Sequence, residues 1–393
     1  MGNGIFLRWN MMAGVALLAH CAFAAPFVPT DDAQVLERLP LRAAAQNRDL
    51  DRLKAAASAA PRDVNAATAL ANAYYQIARA EGDPRFLGYA QAALKPWWNE
   101  PEAPTPVLVA RATILQSDHQ FERASADLDR ALAREPRHGR ALLVRATVLT
   151  VQGKYAQARA ECPKLFGVVP ELYVVVCVAT VDSLTGKGAP AMASLQRAMN
   201  HAGVTPEARA WAASTLGEIA ARRGDATAEA QFRAALTADP RDLYTIGAYS
   251  DWLLDNKRPA EVIPLVRNDA RVDGLLLRLA LAQAAVGQPE ARATIEILRS
   301  RYAASRARGD TVHRREEARF ALWLANDPAT ALRLATDNWA VQREPADLRV
   351  LAEAAAATGD AAATSTVRQW LTDTGLEYPA VAALVAPGAK GRK

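Results

Sequence analysis

The chain has 393 residues, of which 51% are hydrophobic and 23% charged, and this composition excludes a disordered chain, a collagen-like chain and a polytopic membrane protein. The formal net charge of +5 is too small for a dedicated nucleic-acid binder, and three cysteines exclude a disulfide framework, a multi-cysteine zinc module and an iron–sulfur protein. A chain of this length forms two or three domains or one repeating structure.

Residues 1–24 have the pattern of a secretory signal peptide. Arg8 supplies a positive start, an apolar stretch occupies residues 11–23, and Ala-Phe-Ala at residues 22–24 forms a small-residue cleavage site. We therefore expect cleavage after this site and a mature protein that is periplasmic or secreted. The alternatives are an uncleaved leader that anchors the chain in a membrane and lipidation at Cys21.

The region 25–96 is predicted to form helical hairpins with a degenerate pattern. The segment 97–106 follows it and is rich in proline and tryptophan, so no helix continues through it. We predict a linker here. Trp97 and Trp98 either offer an exposed aromatic contact or fold back onto the neighbouring hairpin.

The residues after this linker repeat themselves. One set of small or apolar residues and helix breakers recurs first 34 and then a further 70 positions along the chain: Leu108, Ala112, Leu115, Ala124, Leu128, Ala131 and Pro136; Leu142, Ala146, Leu149, Ala158, Cys162, Leu165 and Pro170; Ala212, Leu216, Ile219, Ala228, Phe232, Ala235 and Pro240.

Each repeat predicts two antiparallel helices. The apolar residues fall three and four positions apart, which is one face of a helix, and a break such as Gln152-Gly153 separates the two helices. Small residues let the two helices approach closely, and the prolines end the second helix. One hairpin cannot bury both of its faces, so we expect the hairpins to stack.

This order of residues resembles the tetratricopeptide repeat, and the units 105–136, 139–170 and 209–240 match it well. The resemblance implies an all-α fold, an α-solenoid with a right-handed superhelix of nine or ten hairpins over residues 31–372. We divide the chain into central repeats at 107–270, degenerate hairpins at 271–372, and a short helix with a basic tail at 373–393. Pro163 and Pro264 interrupt predicted second helices, and residues 289–308 predict an unusually long one.

The resemblance also places a groove for a protein or peptide partner on the inner face of the first helices. The lining carried over from the family is neutral, which favours an apolar or β-branched peptide or a partner helix; the alternative is an inner face that is only scaffold. The lining comprises Val109, Thr113 and Gln116; Leu143, Thr147 and Thr150; Val176, Thr180 and Ser183; Ala213, Gly217 and Ala220.

Two further features are open to two interpretations each. Cys162 and Cys177 fall on neighbouring packed helices and are either a disulfide or two small buried residues. An arginine-rich segment is either a solvated helix face or a basic contact face for an acidic partner or lipid headgroups. Its members are Arg299, Arg301, Arg306, Arg308, Arg314, Arg315 and Arg319.

The sequence contains no phosphate-binding glycine loop, nucleophile elbow or zinc-protease motif. We therefore predict no enzyme activity, no cofactor and no nucleic-acid partner, and a membrane contact only through an uncleaved leader or peripherally. The predicted function is an exported scaffold or adaptor that binds a protein partner through its concave helical surface. The alternative is a membrane-associated accessory subunit of an envelope assembly, export or transport machine.

Overall fold

The computed structural model describes Asp31 and residues 44–387. The chain divides into two units, Met1–Ala43 and Ala44–Lys393. The predicted signal peptide and Cys21 lie outside the described residues, as do residues 388–393 of the predicted basic tail. The fold presented below is that of the second unit.

Residues 44–387 form helices and turns without any strand. Helix α1 (Ala44–Ala59) precedes nine hairpins, which we number 1 to 9 in chain order, and α20 (Pro379–Leu384) follows them. The first helices of the hairpins are α2 (Val64–Glu81), α4 (Thr105–Ser117), α6 (Gly139–Val151), α8 (Glu171–Ser183), α10 (Pro206–Arg223), α12 (Leu243–Asp255), α14 (Asp273–Val286), α16 (Arg314–Trp323) and α18 (Pro345–Thr358). The second helices are α3 (Arg85–Ala93), α5 (Phe121–Arg134), α7 (Tyr155–Glu161), α9 (Gly188–Met199), α11 (Ala228–Ala238), α13 (Pro259–Val266), α15 (Ala291–Ala307), α17 (Pro328–Trp339) and α19 (Ala361–Thr374).

The seam inside each hairpin is built from the repeated small residues. Ala112 of α4 and Ala124 of α5 are both fully buried where these helices pack together. In hairpin 5 the residue at the close approach is Gly217, where an added Cβ would lie 2.7 Å from the ring of Phe232. Small residues at these positions therefore permit the close helix–helix contact that the sequence predicts.

The irregular second helices also follow the sequence. Helix α7 ends before Pro163 and continues as a 3₁₀ turn at Cys162–Leu165, and α13 contains Pro264 and is followed by a 3₁₀ turn at Arg267–Asp269. The proline ring removes an amide donor and collides with the preceding turn, which shortens these helices. Helix α15, with 17 residues, is the long second helix that was predicted.

The predicted linker interrupts the helices but is packed into the protein. Trp97 is buried against hairpins 1 and 2, and Trp98 packs on the same cluster. The buried guanidinium of Arg111 donates hydrogen bonds to the carbonyl oxygens of Trp97 and Trp98 at 2.6 and 2.9 Å and forms an ion pair with Asp127 at 2.6 Å. Arg111 thus fixes a segment that has no helix of its own.

Hydrophobic packing is continuous along the later hairpins. One buried cluster extends from Leu172 in α8 to Phe320 in α16. The core is therefore continuous across residues 270–271, where the sequence pattern changes from central repeats to degenerate hairpins. Within the described residues, no helix is both long and apolar enough to cross a bilayer.

The last hairpins return onto the middle of the array. In the loop between hairpins 8 and 9, the amide of Arg343 donates to the carbonyl oxygen of Val151 at 2.7 Å, and the hydroxyl of Tyr155 donates to the carbonyl oxygen of Arg343 at 3.3 Å. The ring of Trp370 in α19 lies 5.8 Å from that of Tyr155, and a Cβ added to Gly153 would lie 2.5 Å from it. Hairpin 9 therefore covers the turn of hairpin 3.

A second long-range contact joins hairpin 1 to the loop that precedes α14. Arg271 donates to the carbonyl oxygen of Glu81, 190 positions away in sequence, at 2.8 Å. A Cβ added to Gly82 would lie 2.6 Å from Val272. The array is therefore held by contacts between distant hairpins as well as by contacts between neighbours.

Candidate interaction surface

The nine predicted groove residues of α4, α6 and α8 differ in their exposure. Val109, Thr113, Val176 and Ser183 are buried; Gln116, Leu143, Thr150 and Thr180 are half-buried; Thr147 is exposed. The residues that α6 and α8 leave accessible therefore include Thr147, Leu143, Thr150 and Thr180.

The two buried polar residues are satisfied within the chain. The hydroxyl of Thr113 donates to the carbonyl oxygen of Val109 at 2.8 Å. The hydroxyl of Ser183 donates to the carbonyl oxygen of Thr180 at 2.7 Å and accepts a hydrogen bond from Arg222 at 2.9 Å. Neither side chain is available to a partner, because Thr113 bonds within α4 and Ser183 bonds within α8 and to α10.

Aromatic side chains that the groove prediction omitted lie on the first helices of hairpins 4 to 6. Trp211 is 42% exposed, and its ring lies 5.4 Å from that of Tyr173 on α8. Tyr244 on α12 is 62% exposed and donates its hydroxyl hydrogen to Glu218 of α10 at 2.6 Å. Glu207, Trp211 and Glu218 are four and seven positions apart, so they lie on one face of α10. This spacing is the sequence signal that could have identified the face.

The first helices of hairpins 6 to 8 carry a network of half-buried charges instead. Asp251 of α12 accepts hydrogen bonds from Arg278 at 2.5 Å and from Arg319 at 3.0 Å. Burial disfavours the ionised carboxyl, but the two guanidinium groups outweigh it and hold the pKa of Asp251 well below its usual range. This carboxylate therefore joins three consecutive hairpins.

The network continues to hairpin 9. Arg349 of α18 forms a bidentate pair with Asp255 of α12, with distances of 2.5 and 2.6 Å. Arg315 of α16 contacts Glu344 at 2.8 Å and Asp347 at 3.3 Å. The Arg349–Asp255 pair joins hairpins 6 and 9, which are not neighbours in sequence, so it helps to hold the returning C-terminal hairpins. Arg315 joins the neighbouring hairpins 8 and 9.

Asp347 is the most strongly constrained carboxyl of this network. It caps α18 by accepting from the amide of Glu344 at 2.8 Å, and it accepts from the side-chain amides of Asn338 at 2.8 Å and Gln342 at 3.0 Å. Burial raises its pKa to about 6, opposed by Arg315 and assisted by the carboxylate of Glu344.

The arrangement of these helices decides the architecture. Nine consecutive hairpins stack on one another, and in hairpins 2, 3 and 5 the small and apolar residues follow the order that tetratricopeptide repeats use. The chain is an α-solenoid of tetratricopeptide-like hairpins. The first helices of hairpins 6 to 9 are joined by the charged network.

The sequence matches no protein-family model and no curated protein. Among solved structures, the solenoid is similar to a tetratricopeptide repeat protein from Parabacteroides merdae, with 17% identity, a TM-score of 0.38, and coverage of 58% of this chain and 92% of that chain. It is also similar to human IFIT1 in a dimer with m7Gppp-AAAA, with 13% identity, a TM-score of 0.46, and coverage of 84% and 83%. Similarity to Cut9–Hcn1 of the APC/C has 12% identity, a TM-score of 0.39, and coverage of 88% and 91%. The description of the fold rests on the helix pairs themselves.

The two cysteines of the described solenoid form a disulfide. The sulfur atoms of Cys162 and Cys177 are 2.02 Å apart. Cys162 lies in the 3₁₀ turn after α7, and Cys177 lies in α8. The bond therefore links hairpin 3 to hairpin 4 beside the surface on which hairpin 9 packs.

The arginine-rich segment does not form one uniform face. Arg299 and Arg301 pair with Glu296 and Asp273 at 3.3 and 2.7 Å, and Arg306 pairs with Glu317. Arg308 is exposed, Arg314 is half-buried, and Arg315 and Arg319 belong to the charged network. Several of these guanidinium groups are therefore already matched by carboxylates of the chain. Within residues 44–387, no group of three His, Cys, Asp or Glu residues is placed to hold a metal ion.

Proposed function

We propose that this solenoid is an exported scaffold that binds a protein or peptide partner through the first helices of hairpins 3 to 5 and performs no chemistry of its own. Stacked hairpins provide a rigid, extended surface, so a partner binds through many contacts without ordering the scaffold. The proposal combines this general property with the accessible residues on three consecutive first helices.

The observation that carries the proposal is the partly exposed surface of α6, α8 and α10, where threonine and aromatic side chains are accessible. Thr147 is exposed on α6, Thr180 is half-buried on α8, and Trp211 is exposed beside Tyr173. Aromatic side chains with small polar neighbours are typical of surfaces that bind a peptide or a helix, because the rings offer large contact area at low entropic cost. An apolar or β-branched peptide, or a helix of a partner protein, fits this chemistry.

The binding surface is tested by one substitution and a matched control. Thr147→Arg places a bulky charge on α6, and Thr237→Arg places the same charge on the second helix α11. Both threonines are exposed, and both donate their hydroxyl hydrogen to the carbonyl oxygen four residues earlier, so the two variants have the same intrinsic cost. A photo-crosslinker at position 147 in the producing cell would identify the partner for these measurements.

We expect Thr147→Arg to weaken binding of that partner at least tenfold and Thr237→Arg to leave it unchanged, with equal helicity in both variants. Equal affinity in the two variants would remove the inner face of α6 from the proposal.

Export is tested by separating the compartments of the producing cell and sequencing the N-terminus of the chain. A soluble periplasmic or secreted chain that starts at Ala25 supports the exported scaffold. Retention in the membrane fraction with an intact leader would instead favour the accessory subunit of an envelope machine.

A further inference from the structure

A cavity of about 370 Å³ lies where hairpin 2 meets the C-terminal hairpins. Its lining comes from the turn between α4 and α5, the first turn of α5, the start of α16 with the loop before it, and the end of α17 with the loop after it. The lining residues are Asp118, His119, Gln120, Glu122, Arg123, Thr311, Arg314, Asn338 and Val341. The volume falls in the range of about 300–1,000 Å³ that small-molecule sites occupy. The site therefore joins parts of the solenoid that are nearly 200 positions apart in sequence.

The lining of the cavity carries both signs of charge. Asp118 and Glu122 are acidic, Arg123 and Arg314 are basic, and the other members except Val341 are hydrogen-bonding residues. A ligand with a single charge would be attracted by one pair and repelled by the other. A molecule with an ammonium and a carboxylate group matches both pairs at once.

Two of these charged side chains have no partner among the residues that the structure describes. Asp118 and Arg314 each line the cavity, and neither side chain makes a hydrogen bond or an ion pair in the described part of the chain. Burial and the carboxylate of Asp310 raise the pKa of Asp118, which is the shift expected of a carboxylate without a neighbouring cation. Other arginines close to this region are paired, as Arg315 is with Glu344, so the unpaired state of Arg314 is not general.

His119 adds a neutral hydrogen-bonding group to the same cavity. Burial lowers the pKa of the imidazole, opposed by Glu344 and Glu316 and assisted by Arg315 and His313. A neutral imidazole both donates and accepts, so it adds polar recognition without upsetting the balance of charge.

We propose that this cavity is a binding site for a small zwitterion, such as a free α-amino acid or a dipeptide. The ligand's ammonium group pairs with Asp118, and its carboxylate pairs with Arg314. Because the two residues belong to hairpin 2 and hairpin 8, an occupied site favours the arrangement in which the C-terminal hairpins are packed on the earlier ones. The site is independent of the surface on α6, α8 and α10.

The test measures calorimetric binding of L-alanine and L-alanyl-L-alanine to the full chain, with propionate and ethylammonium as singly charged probes. Asp118→Asn and Arg314→Gln remove one charge each without changing side-chain size much. Arg292→Gln is the control, because Arg292 is an exposed arginine on α15 away from the cavity lining. Circular dichroism checks that all three variants are folded.

We expect at least one zwitterion to bind the wild type at least tenfold more tightly than either singly charged probe, and each cavity variant to lose at least tenfold in affinity. Arg292→Gln should bind as the wild type does. The proposal is overturned if neither zwitterion binds, if propionate or ethylammonium binds as tightly, or if the cavity variants retain wild-type affinity.

Discussion

Replacing Gly153 with alanine tests the contact that hairpin 9 makes with the turn of hairpin 3. Gly153 has a φ of +73°, and a Cβ there would lie 2.5 Å from Cη2 of Trp370. Gly224 supplies a matched control, because its φ is +72° and a Cβ there would meet no atom within 4 Å. Both substitutions place an L-residue in the left-handed conformation, but only Gly153→Ala also crowds Trp370.

The two variants should lose different amounts of unfolding free energy, because only Gly153→Ala crowds the ring of Trp370. The left-handed conformation costs an L-residue about 1–2 kcal/mol, which is the loss of unfolding free energy expected for Gly224→Ala. Gly153→Ala adds overpacking against a half-buried aromatic ring, which costs about 1–3 kcal/mol more. The difference between the two variants therefore measures how firmly hairpin 9 is held against hairpin 3.

Urea unfolding gives the two free energies, and hydrogen exchange shows where the structure loosens. The amide of Arg343 is the local probe, because it donates to the carbonyl oxygen of Val151 across the same contact. We expect its exchange to accelerate in Gly153→Ala and to remain unchanged in Gly224→Ala, since exchange requires this contact to open. Equal free-energy losses with equal protection of Arg343 would refute the reasoning.

Three further predictions concern interactions inside the solenoid. Arg111→Met removes the buried guanidinium from the buried carboxylate of Asp127, leaves only the more distant Arg130 at 3.6 Å, and should lower the unfolding free energy in urea by about 3–5 kcal/mol. Arg130→Met, which removes this more exposed partner of the same carboxylate, should cost less than about 1 kcal/mol. Cys162→Ala combined with Cys177→Ala opens a closed loop with a sequence separation of 15 and should lower the unfolding free energy by about 3 kcal/mol; a reducing agent should then destabilise the wild type but not the double variant. The pKa of Asp347 is raised to about 6 in the folded chain, so its contribution to stability is complete below its unfolded pKa and is lost as the pH rises through the folded value. The wild type should therefore lose up to about 3 kcal/mol relative to Asp347→Asn between about pH 4 and about pH 7, and parallel pH curves for the two proteins would contradict this.

The hairpins were predictable because their signals are local. Ala112 and Ala124 mark a seam between two helices that are joined by a short turn, and both are fully buried there. Pro163 likewise acts on α7, the helix that ends just before it. The contact of Trp370 with Gly153 was not predictable in this way. It depends on the small rotation between each hairpin and the next, added over several hairpins, and no local residue pattern specifies that total.

Which residues of each first helix are exposed depends on how that helix is rotated about its axis in the stack, and the repeat pattern does not specify this rotation. On α10 the family positions gave Ala213, Gly217 and Ala220, which are all buried, whereas the accessible residues include Trp211 and Glu218. Gly217 lies so close to Phe232 that this side of α10 faces its own second helix. The family positions on α10 are therefore buried, and its exposed side carries Trp211 instead.

The spacing of charged residues alone did not reveal the ion-pair network on the first helices of hairpins 6 to 9. Asp251 and Asp255 are four positions apart on α12, as are Arg315 and Arg319 on α16, and such spacing is typical of a solvated helix face. Their partners lie on other first helices, so their charges are already compensated within the solenoid. A partner that binds by charge would have to break these pairs and leave partly buried charges unmatched, which costs free energy. Binding at Thr147 and Trp211 breaks none of these ion pairs, and this difference is the physical reason to seek the partner at hairpins 3 to 5.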